Sequence, residues 1–401
     1  MTKTLTPAMI QFYELKAQNP DAILWFRMGD FYEMFDDDAN IAHRVLGINV
    51  TTRNKNADNP QPLAWIPYHA KDKYLPGLIN AGYKVAIAEQ VSDPKAKWIV
   101  NREVVRVVTP STINLEWESY INSENSVNYI LGIVEENWKY AISILDPSSW
   151  DWKTWELENF SKLSWEIYKI SPKEVILEKK LFWNKELKDI LEKKYSLNIY
   201  FFELKSKPFE KLINHFWVKN LKGFNLENSL LAQKSSALIL EYLESTQKTN
   251  LDYLDSISVE TFSDYMDLDE STIRSLDLLY NFSSKSSKLW TLFWVLDKTK
   301  TSMWKRFLRE SIVKPLQDIW EIEKRQDIIE EFLKNSILLN KVSSELKQVS
   351  DLDNILTRLA LWRANPRDLI ALKNSLKTIL WVFEMIKESW NDKLIKLLNI
   401  E

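Results

Sequence analysis

The sequence predicts an α+β protein of several domains, in which two mixed α/β domains precede an all-α segment. The chain has 401 residues, 45% of them apolar, so it is long enough to bury two or three separate cores. Strand-like and helix-like segments follow one another over about the first 250 residues. Beyond about residue 265, apolar residues recur three and four positions apart, which is the spacing of helices.

The first α/β domain is predicted over residues 1–112. Residues 22–26 are typical of a short buried strand. From Tyr32 we predict a helix that ends before Gly47, because glycine commonly follows the last helical residue. The further strands predicted in this domain are residues 48–51, 84–88 and 104–108.

A polar segment rich in Ser and Asn, residues 113–126, is typical of a linker. The second α/β domain is predicted over residues 127–250. Its predicted strands are residues 129–145 and 155–160, on either side of a turn, and residues 173–177. Residues 265–401 are predicted to form a helical domain that is incomplete.

Composition disfavours several classes of site. The chain has no Cys, which excludes disulfides, thiolate metal sites and cysteine nucleophiles. Its three His residues are widely spaced, so a His-based metal cluster or triad is disfavoured. No run approaches the roughly 18 apolar residues of a membrane span, and the start lacks a secretory signal. We therefore expect a cytoplasmic protein without a metal site.

Charge alone does not indicate a nucleic-acid partner. The formal net charge is -3, whereas proteins that rely on phosphate neutralisation usually have a basic face. Lys95, Lys97, Arg102 and Arg106 form a modest basic cluster. This cluster is either a phosphate-binding patch or an ordinary solvated face.

The usage of glycine and tryptophan is anomalous. The chain has 6 Gly and 18 Trp, whereas a typical chain of this length has about 28 Gly. Within the turn predicted at residues 146–152, Trp150 and Trp152 stand where small residues with positive φ are usual. We hypothesise that UGA codons encode glycine in the source and have been translated as tryptophan. The alternative is a protein that is truly rich in Trp.

Residues 26–35 place aromatic side chains and a carboxylate at a predicted strand-to-helix junction. By residue type, Phe31 and its aromatic neighbours are typical of a core, and a binding wedge is the alternative. Glu33 is typical of an acid in the first turn of a helix, where the helix dipole favours it. The aspartates at 36–38 are predicted to form a solvated helix face, with a metal cluster as the alternative.

Four collinear blocks in the first domain form a recognisable pattern. They are Gly29-Asp30-Phe31-Tyr32-Glu33-Met34-Phe35, Ile66-Pro67-Tyr68-His69-Ala70, Ala86-Ile87-Ala88-Glu89-Gln90 and Val104-Val105-Arg106-Val107-Val108-Thr109-Pro110. In order and spacing they resemble the mismatch-binding domain of the MutS family, and a less specific similarity covers nearly the whole chain. The family's blocks would have glycine where this chain has Trp65, Trp217, Trp290 and Trp304.

This resemblance implies that the chain binds double-stranded DNA carrying mismatches or small loops. It gives Phe31 the role of a wedge that enters the minor groove and stacks on a mispaired base. It makes Glu33 the acid that hydrogen-bonds the displaced base. Arg106, and also Arg53 and His69, are placed by similarity at the phosphate backbone. For Arg53 and His69 the alternative is an ordinary surface or capping residue.

The resemblance also implies a mismatch-recognition domain, an RNase H-like connector domain and a helical core/lever segment. The family's ATPase needs a Gly-x-x-x-x-Gly-Lys-Ser/Thr loop, which this chain lacks even if every Trp is read as Gly. ATP and magnesium are therefore expected only for a missing C-terminal domain. The chain itself is expected to be a fragment or the product of a gene cut short. Family members form homodimers and engage a MutL-type partner. The alternative function is a non-catalytic helical scaffold that has lost DNA binding.

Overall fold

The computed structural model describes residues 6–53, 61–92, 100–113, 128–248, 251–260, 265–280, 289–389 and 392–398. Two α/β domains are followed by a run of helices in this part of the chain. The predicted fold class is thereby confirmed.

The first domain is a six-stranded mixed sheet with helices on both faces. Its strands are β1 (Ala22–Met28), β2 (Phe31–Phe35), β3 (Thr51–Arg53), β4 (Gln61–Pro67), β5 (Lys84–Gln90) and β6 (Arg102–Val108), and its helices are α1 (Pro7–Gln18), α2 (Asp36–Leu46) and α3 (Lys71–Asn80). The strands lie in the order β3-β4-β2-β1-β5-β6. Helices α2 and α3 pack with Tyr32 and Met34 on one face. Helix α1 packs with Phe26 and Phe35 on the other.

The segment around Phe31 is a β-hairpin and not the predicted strand-to-helix junction. Strand β2 pairs antiparallel with β1 on one side and with β4 on the other. The predicted helix start at Tyr32 is wrong, because α2 begins only at Asp36. The predicted end at Gly47 agrees with the structure, where this residue caps α2 with a φ of 68°. Likewise, the strand predicted over residues 48–51 begins only at Thr51.

The second domain is another six-stranded sheet. Its strands are β7 (Ile130–Glu136), β8 (Lys139–Leu145), β9 (Trp152–Leu157), β10 (Glu174–Glu178), β11 (Asn198–Phe202) and β12 (Ser258–Val259), and its helices are α4 (Phe160–Ile170), α5 (Lys185–Asp189), α6 (Pro208–Phe216) and α7 (Leu230–Gln247). The strands lie in the order β11-β10-β7-β8-β9-β12. Helix α7 is buried along most of its length because it packs across β7 and β8. The first predicted strand, residues 129–145, is in fact the hairpin of β7 and β8.

The segment between these domains is described only at its start. Ile113, predicted as the first residue of the linker, is buried in the core of the first domain. The rest of the predicted linker, residues 114–126, lies outside the described residues.

Beyond residue 265 the described chain is helical. The helices are α8 (Glu270–Ser275), α9 (Leu292–Leu296), α10 (Ser302–Val313), α11 (Ile319–Lys334), α12 (Ser336–Leu346), α13 (Leu352–Ala360), α14 (Pro366–Glu388) and α15 (Asp392–Leu397). Asn365 and Asp368 form a capping box at the start of α14, and Pro366 occupies its first turn. Asp368 also accepts hydrogen bonds from the buried Arg358, which ties α14 to α13.

The backbone supports the glycine interpretation of several tryptophans. Among the described residues, twelve that are not glycine have positive φ, and five of these are Trp. Positive φ is strained for a bulky side chain and is readily adopted by glycine. The five are Trp138, Trp150, Trp217, Trp290 and Trp362. Trp152, in contrast, is buried in β9 and donates from Nε1 to the Ser143 hydroxyl at 2.7 Å, so its predicted place in the turn is wrong.

The hairpin between β7 and β8 gives the clearest case. Its two turn residues, Asn137 and Trp138, have φ of 52° and 65°, and the strands pair directly beside them at Glu136 and Lys139. A two-residue hairpin turn with positive φ at both positions is of type I′, for which Asn-Gly is the preferred sequence. The backbone at position 138 therefore favours glycine.

Candidate nucleic-acid interface

Phe31, one of several exposed aromatic residues of the first domain, lies where α1 stops covering the sheet. Phe12 of α1 packs edge-on against Phe26 and Phe35, with ring centroids 5.6 and 4.7 Å apart. Two and four residues before Phe35 on the same face of β2 are Glu33, which is half-buried, and Phe31, which is 39% exposed. Sheet residues at this end are therefore accessible to a ligand.

The turn before Phe31 is held by contacts on the face of the sheet opposite to the Phe31 ring. The Asp30 carbonyl accepts a hydrogen bond from the Tyr68 amide at 2.9 Å, and the Gly29 carbonyl accepts one from Arg27 Nε. The Arg27 guanidinium also lies 3.7 Å from the centroid of the Tyr68 ring. These contacts fix the hairpin tip before any ligand binds.

A buried tyrosine extends this anchor beneath the strand. The Tyr32 hydroxyl donates to Glu89, which also lies 3.5 Å from Arg27 Nη1. Burial, and then the Glu89 carboxylate, raise the pKa of Tyr32 above its ordinary value. Tyr32 therefore remains a neutral hydrogen-bond donor and holds β2 against β5.

Glu33 lies between two aromatic residues of the sheet and acts electrostatically on a buried arginine. Its cross-strand partners are Phe26 in β1 and Trp65 in β4. Burial lowers the pKa of the Arg102 guanidinium, and the negative charge of Glu33 partly offsets this shift. Arg102 also donates to the Arg27 carbonyl at 2.6 Å. The carboxylate on this face is thus electrostatically coupled to a fixed cation.

Trp65 fills the surface beside the exposed phenylalanine. It is 48% exposed, and its ring lies edge-on to that of Phe31, with centroids 4.8 Å apart and planes 76° apart. Its backbone belongs to β4, and its φ is not positive.

Arg106 is not placed where a phosphate could reach it. It is only 4% exposed, and its Nη2 donates to the Thr112 carbonyl at 3.3 Å. Burial, followed by the nearby Arg363, lowers its pKa, and Tyr253 acts in the opposite direction. These neighbours belong to the helical and second domains, so Arg106 lies at a junction of three domains. The structure does not support the predicted phosphate contact, because β6 points this side chain into the domain junction.

The other predicted backbone contacts have different positions. His69 is exposed next to the hairpin tip, edge-on to Tyr68 with centroids 5.8 Å apart. Arg53 ends β3, but its side chain lies outside the described residues. The same holds for Lys95 and Lys97 of the predicted basic cluster, while Arg102 is buried. An exposed basic patch is therefore not seen in the described part of this cluster.

The aspartates at 36–38 do not form a uniformly solvated face. Asp38 is buried and accepts hydrogen bonds from the Leu24 amide at 2.9 Å and from Lys16 at 2.8 Å. Asp36 accepts a hydrogen bond from Tyr13 at 2.9 Å. The run thus joins α2 to β1 and α1. No metal-binding group of His, Asp and Glu occurs among the described residues.

Sequence reasoning missed the residues that hold the hairpin. Tyr68 falls within the blocks that resemble the family and Arg27 lies beside one of them, but their contact crosses from β1 to the residue after β4. The only available signal was the cluster of Arg and aromatic types around Gly29.

Within the described residues, no helix has the length and apolar character to cross a membrane.

The fold defines a three-domain protein in which an α/β domain with an exposed aromatic hairpin precedes a second α/β domain and a helical domain. Family models match all three parts: MutS domain I over residues 6–116, MutS domain II over residues 128–255 and MutS domain III over residues 271–398. The chain therefore belongs to the MutS family and corresponds to these three domains.

Several curated relatives carry the name DNA mismatch repair protein MutS. The protein from Acetivibrio thermocellus is 36% identical over 392 residues, which cover 96% of this chain and 44% of the relative. The protein from Lachnoclostridium phytofermentans is 39% identical over 380 residues, covering 94% and 40%. The protein from Methanosarcina barkeri is 38% identical over 397 residues, covering 94% and 44%. The chain thus spans less than half the length of these relatives.

Proposed function

We propose that this chain recognises and binds double-stranded DNA at mismatches and small loops, with Phe31 as the residue that enters the base stack. The observation that carries the proposal is the exposure of Phe31 at the tip of an anchored hairpin. An exposed aromatic residue on an unanchored loop would lack the hydrogen bonds that hold Phe31 in place. Membership of a family whose curated members are named for DNA mismatch repair agrees with this role.

The wedge discriminates by the deformability of the duplex. Inserting an apolar ring between base steps costs a few kcal/mol of stacking, and the cost is lower where pairing is already defective. Because the hairpin is fixed by Arg27 and Tyr68, little conformational entropy is lost when Phe31 enters the stack. The difference in insertion cost between mismatched and matched DNA then appears directly in their binding constants.

Glu33 adds a second level of selection. A carboxylate close to phosphates is repelled unless a base offers it a donor or a shared proton. The charge of Arg102 partly compensates this repulsion. We propose that Glu33 hydrogen-bonds the displaced base and penalises insertion into matched DNA.

Fewer residues are proposed to contact the phosphate backbone than the sequence predicts. His69 is exposed beside the hairpin tip and is proposed to contact phosphate, and Arg53 is proposed by similarity alone. Arg106 is not included, since it is buried between domains. Its proposed role is to hold the first domain in position relative to the other two.

Two of the relatives are more than twice as long as this chain, so their further activities come to it only as proposals. The chain has no phosphate-binding loop of the Gly-x-x-x-x-Gly-Lys-Ser/Thr type, so its residues do not fit ATP and magnesium. By similarity to the family, we propose that the protein forms homodimers and engages a MutL-type partner.

The test is equilibrium binding of the full chain to a fluorescent duplex with one G·T mismatch and to its matched counterpart. We expect tighter binding of the mismatch, and we expect Phe31→Ala to abolish the preference. Phe209→Ala is the matched control, because Phe209 is 38% exposed but lies in the second domain. Retention of the full preference in Phe31→Ala would refute the wedge. Absence of any preference would favour a scaffold that does not read DNA.

A further inference from the structure

We infer that the side chain at position 65 sets the strength of mismatch discrimination, and that Trp65 obstructs the space in which the base stacked on Phe31 has to lie. This inference rests on the proposed function.

The position follows from the register of the strands. Trp65 is the direct cross-strand partner of Glu33, and its ring packs edge-on against Phe31 with centroids 4.8 Å apart. Directly opposed residues in an antiparallel pair have Cβ atoms about 4.5–5.5 Å apart. A base that stacks on Phe31 and hydrogen-bonds Glu33 therefore has to pass over residue 65.

The indole occupies that volume. Trp65 is 48% exposed, so it stands out from the sheet instead of filling the core beneath it. It also contacts Phe31, and an aromatic ring held by another ring is less available to a base. Removing the indole would both free the surface above β4 and release one side of Phe31.

Backbone conformation gives no separate reason for a small residue here. Glycine is favoured at Trp138, Trp150 and Trp217 because their φ is positive. Trp65 lies inside β4, a central strand, and is not among the residues with positive φ. A glycine within a strand weakens it and often marks the close approach of a ligand. At this position the benefit of a small residue is space for the ligand.

The experiment compares Trp65→Gly and Trp65→Ala with the parent chain by the binding assay on the G·T and matched duplexes. A second readout is the fluorescence of 2-aminopurine placed next to the mismatch, which rises when the base is unstacked. We expect both variants to increase the preference for the mismatch roughly tenfold and to raise the fluorescence. Alanine should reproduce most of the effect of glycine, because space and not backbone freedom is decisive.

Two controls separate the inference from the proposed function. Trp138→Gly makes the same substitution at an exposed turn of the second domain and should leave the preference unchanged. The gain in Trp65→Gly should disappear when Phe31→Ala is added. An unchanged preference in both Trp65 variants, with a parental preference that still depends on Phe31, would overturn the inference and leave the proposed function intact. Absence of discrimination in the parent and in both variants would overturn both.

Discussion

Phe31 and Glu33 lie two residues apart on the same face of β2, at the end of that face which α1 leaves uncovered. Phe31 offers an apolar ring and Glu33 a charged acceptor within reach of one base. Binding therefore depends both on the cost of inserting the Phe31 ring and on whether the displaced base can donate a hydrogen bond to Glu33.

Glu33→Gln tests the polar part of this arrangement. Glutamine keeps the shape of the side chain but removes the charge that phosphates repel. We expect matched DNA to bind more tightly and the ratio of mismatched to matched affinity to fall by about 3-fold to 10-fold, because a neutral hydrogen bond replaces a charged one that is about twice as strong. Binding of both duplexes is measured by fluorescence anisotropy. An unchanged ratio would contradict a role of Glu33 in selection.

Arg27→Ala tests the anchor of the hairpin. The variant loses the hydrogen bond to the Gly29 carbonyl and the stacking on Tyr68. We expect the free energy of unfolding to fall by about 1–2 kcal/mol in urea, and the mismatch preference to fall as the tip becomes mobile. Arg27→Lys, which keeps the charge but not the planar group, should have an intermediate effect. Parental stability of Arg27→Ala would rule out the anchor.

Trp138→Gly tests the interpretation of the turn tryptophans. Trp138 is 82% exposed and has a φ of 65°, so the substitution removes strain without loss of core packing. We expect the free energy of unfolding to rise by about 1 kcal/mol. The control is Trp138→Ala, which keeps a Cβ atom and should bring little gain. Equal stabilities of the glycine and alanine variants would count against strain at this turn.

The same interpretation has a direct chemical test. Mass spectrometry of the protein from its native source should find glycine at position 138. Tryptophan in that peptide would contradict the reassigned codon.

His215 gives the stability of the second domain a pH dependence. Its Nε2 lies 2.7 Å from the Leu254 carbonyl oxygen, so this nitrogen carries the proton and donates. Burial lowers the pKa of His215 below its ordinary value of 6.5, although this hydrogen bond acts in the opposite direction. As the pH falls below about 7, the unfolded chain takes up the proton first, and the free energy of unfolding decreases.

His215→Gln removes the titration and keeps a donor. We expect the slope of stability against pH between about pH 7 and pH 5 to become flatter in urea titrations. The nearby Lys211, Glu244 and Asp252 also affect this pKa and remain in the variant. An identical slope in both proteins would exclude His215 as the cause.

The sequence predicts the buried strands of the first domain better than its hairpin. Short, mainly apolar segments predict strands at residues 22–26, 84–88 and 104–108, which lie within β1, β5 and β6. Strand β4 escapes prediction because prolines and an exposed Trp interrupt its pattern. Without β4 there is no partner for β2, and residues 31–35 resemble the start of the adjoining helix.

The sequence identifies the residue types of the site but does not show which of its residues are buried. The sequence blocks identify Phe31 and Glu33, and the structure places them on one accessible face. The same blocks single out Arg106, which is buried and interacts electrostatically with residues about 150 and 250 positions away. Such packing between domains cannot be deduced from local patterns.

The most direct test of the central claim is photo-cross-linking from position 31. A photoreactive phenylalanine analogue there should cross-link to the nucleotides at a G·T mismatch, and only weakly to the same positions of matched DNA. The analogue at Tyr13, an exposed aromatic on α1, is the control and should give no preference. Equal cross-linking of mismatched and matched duplexes from position 31, or none at all, would contradict the proposal that this ring enters the stack.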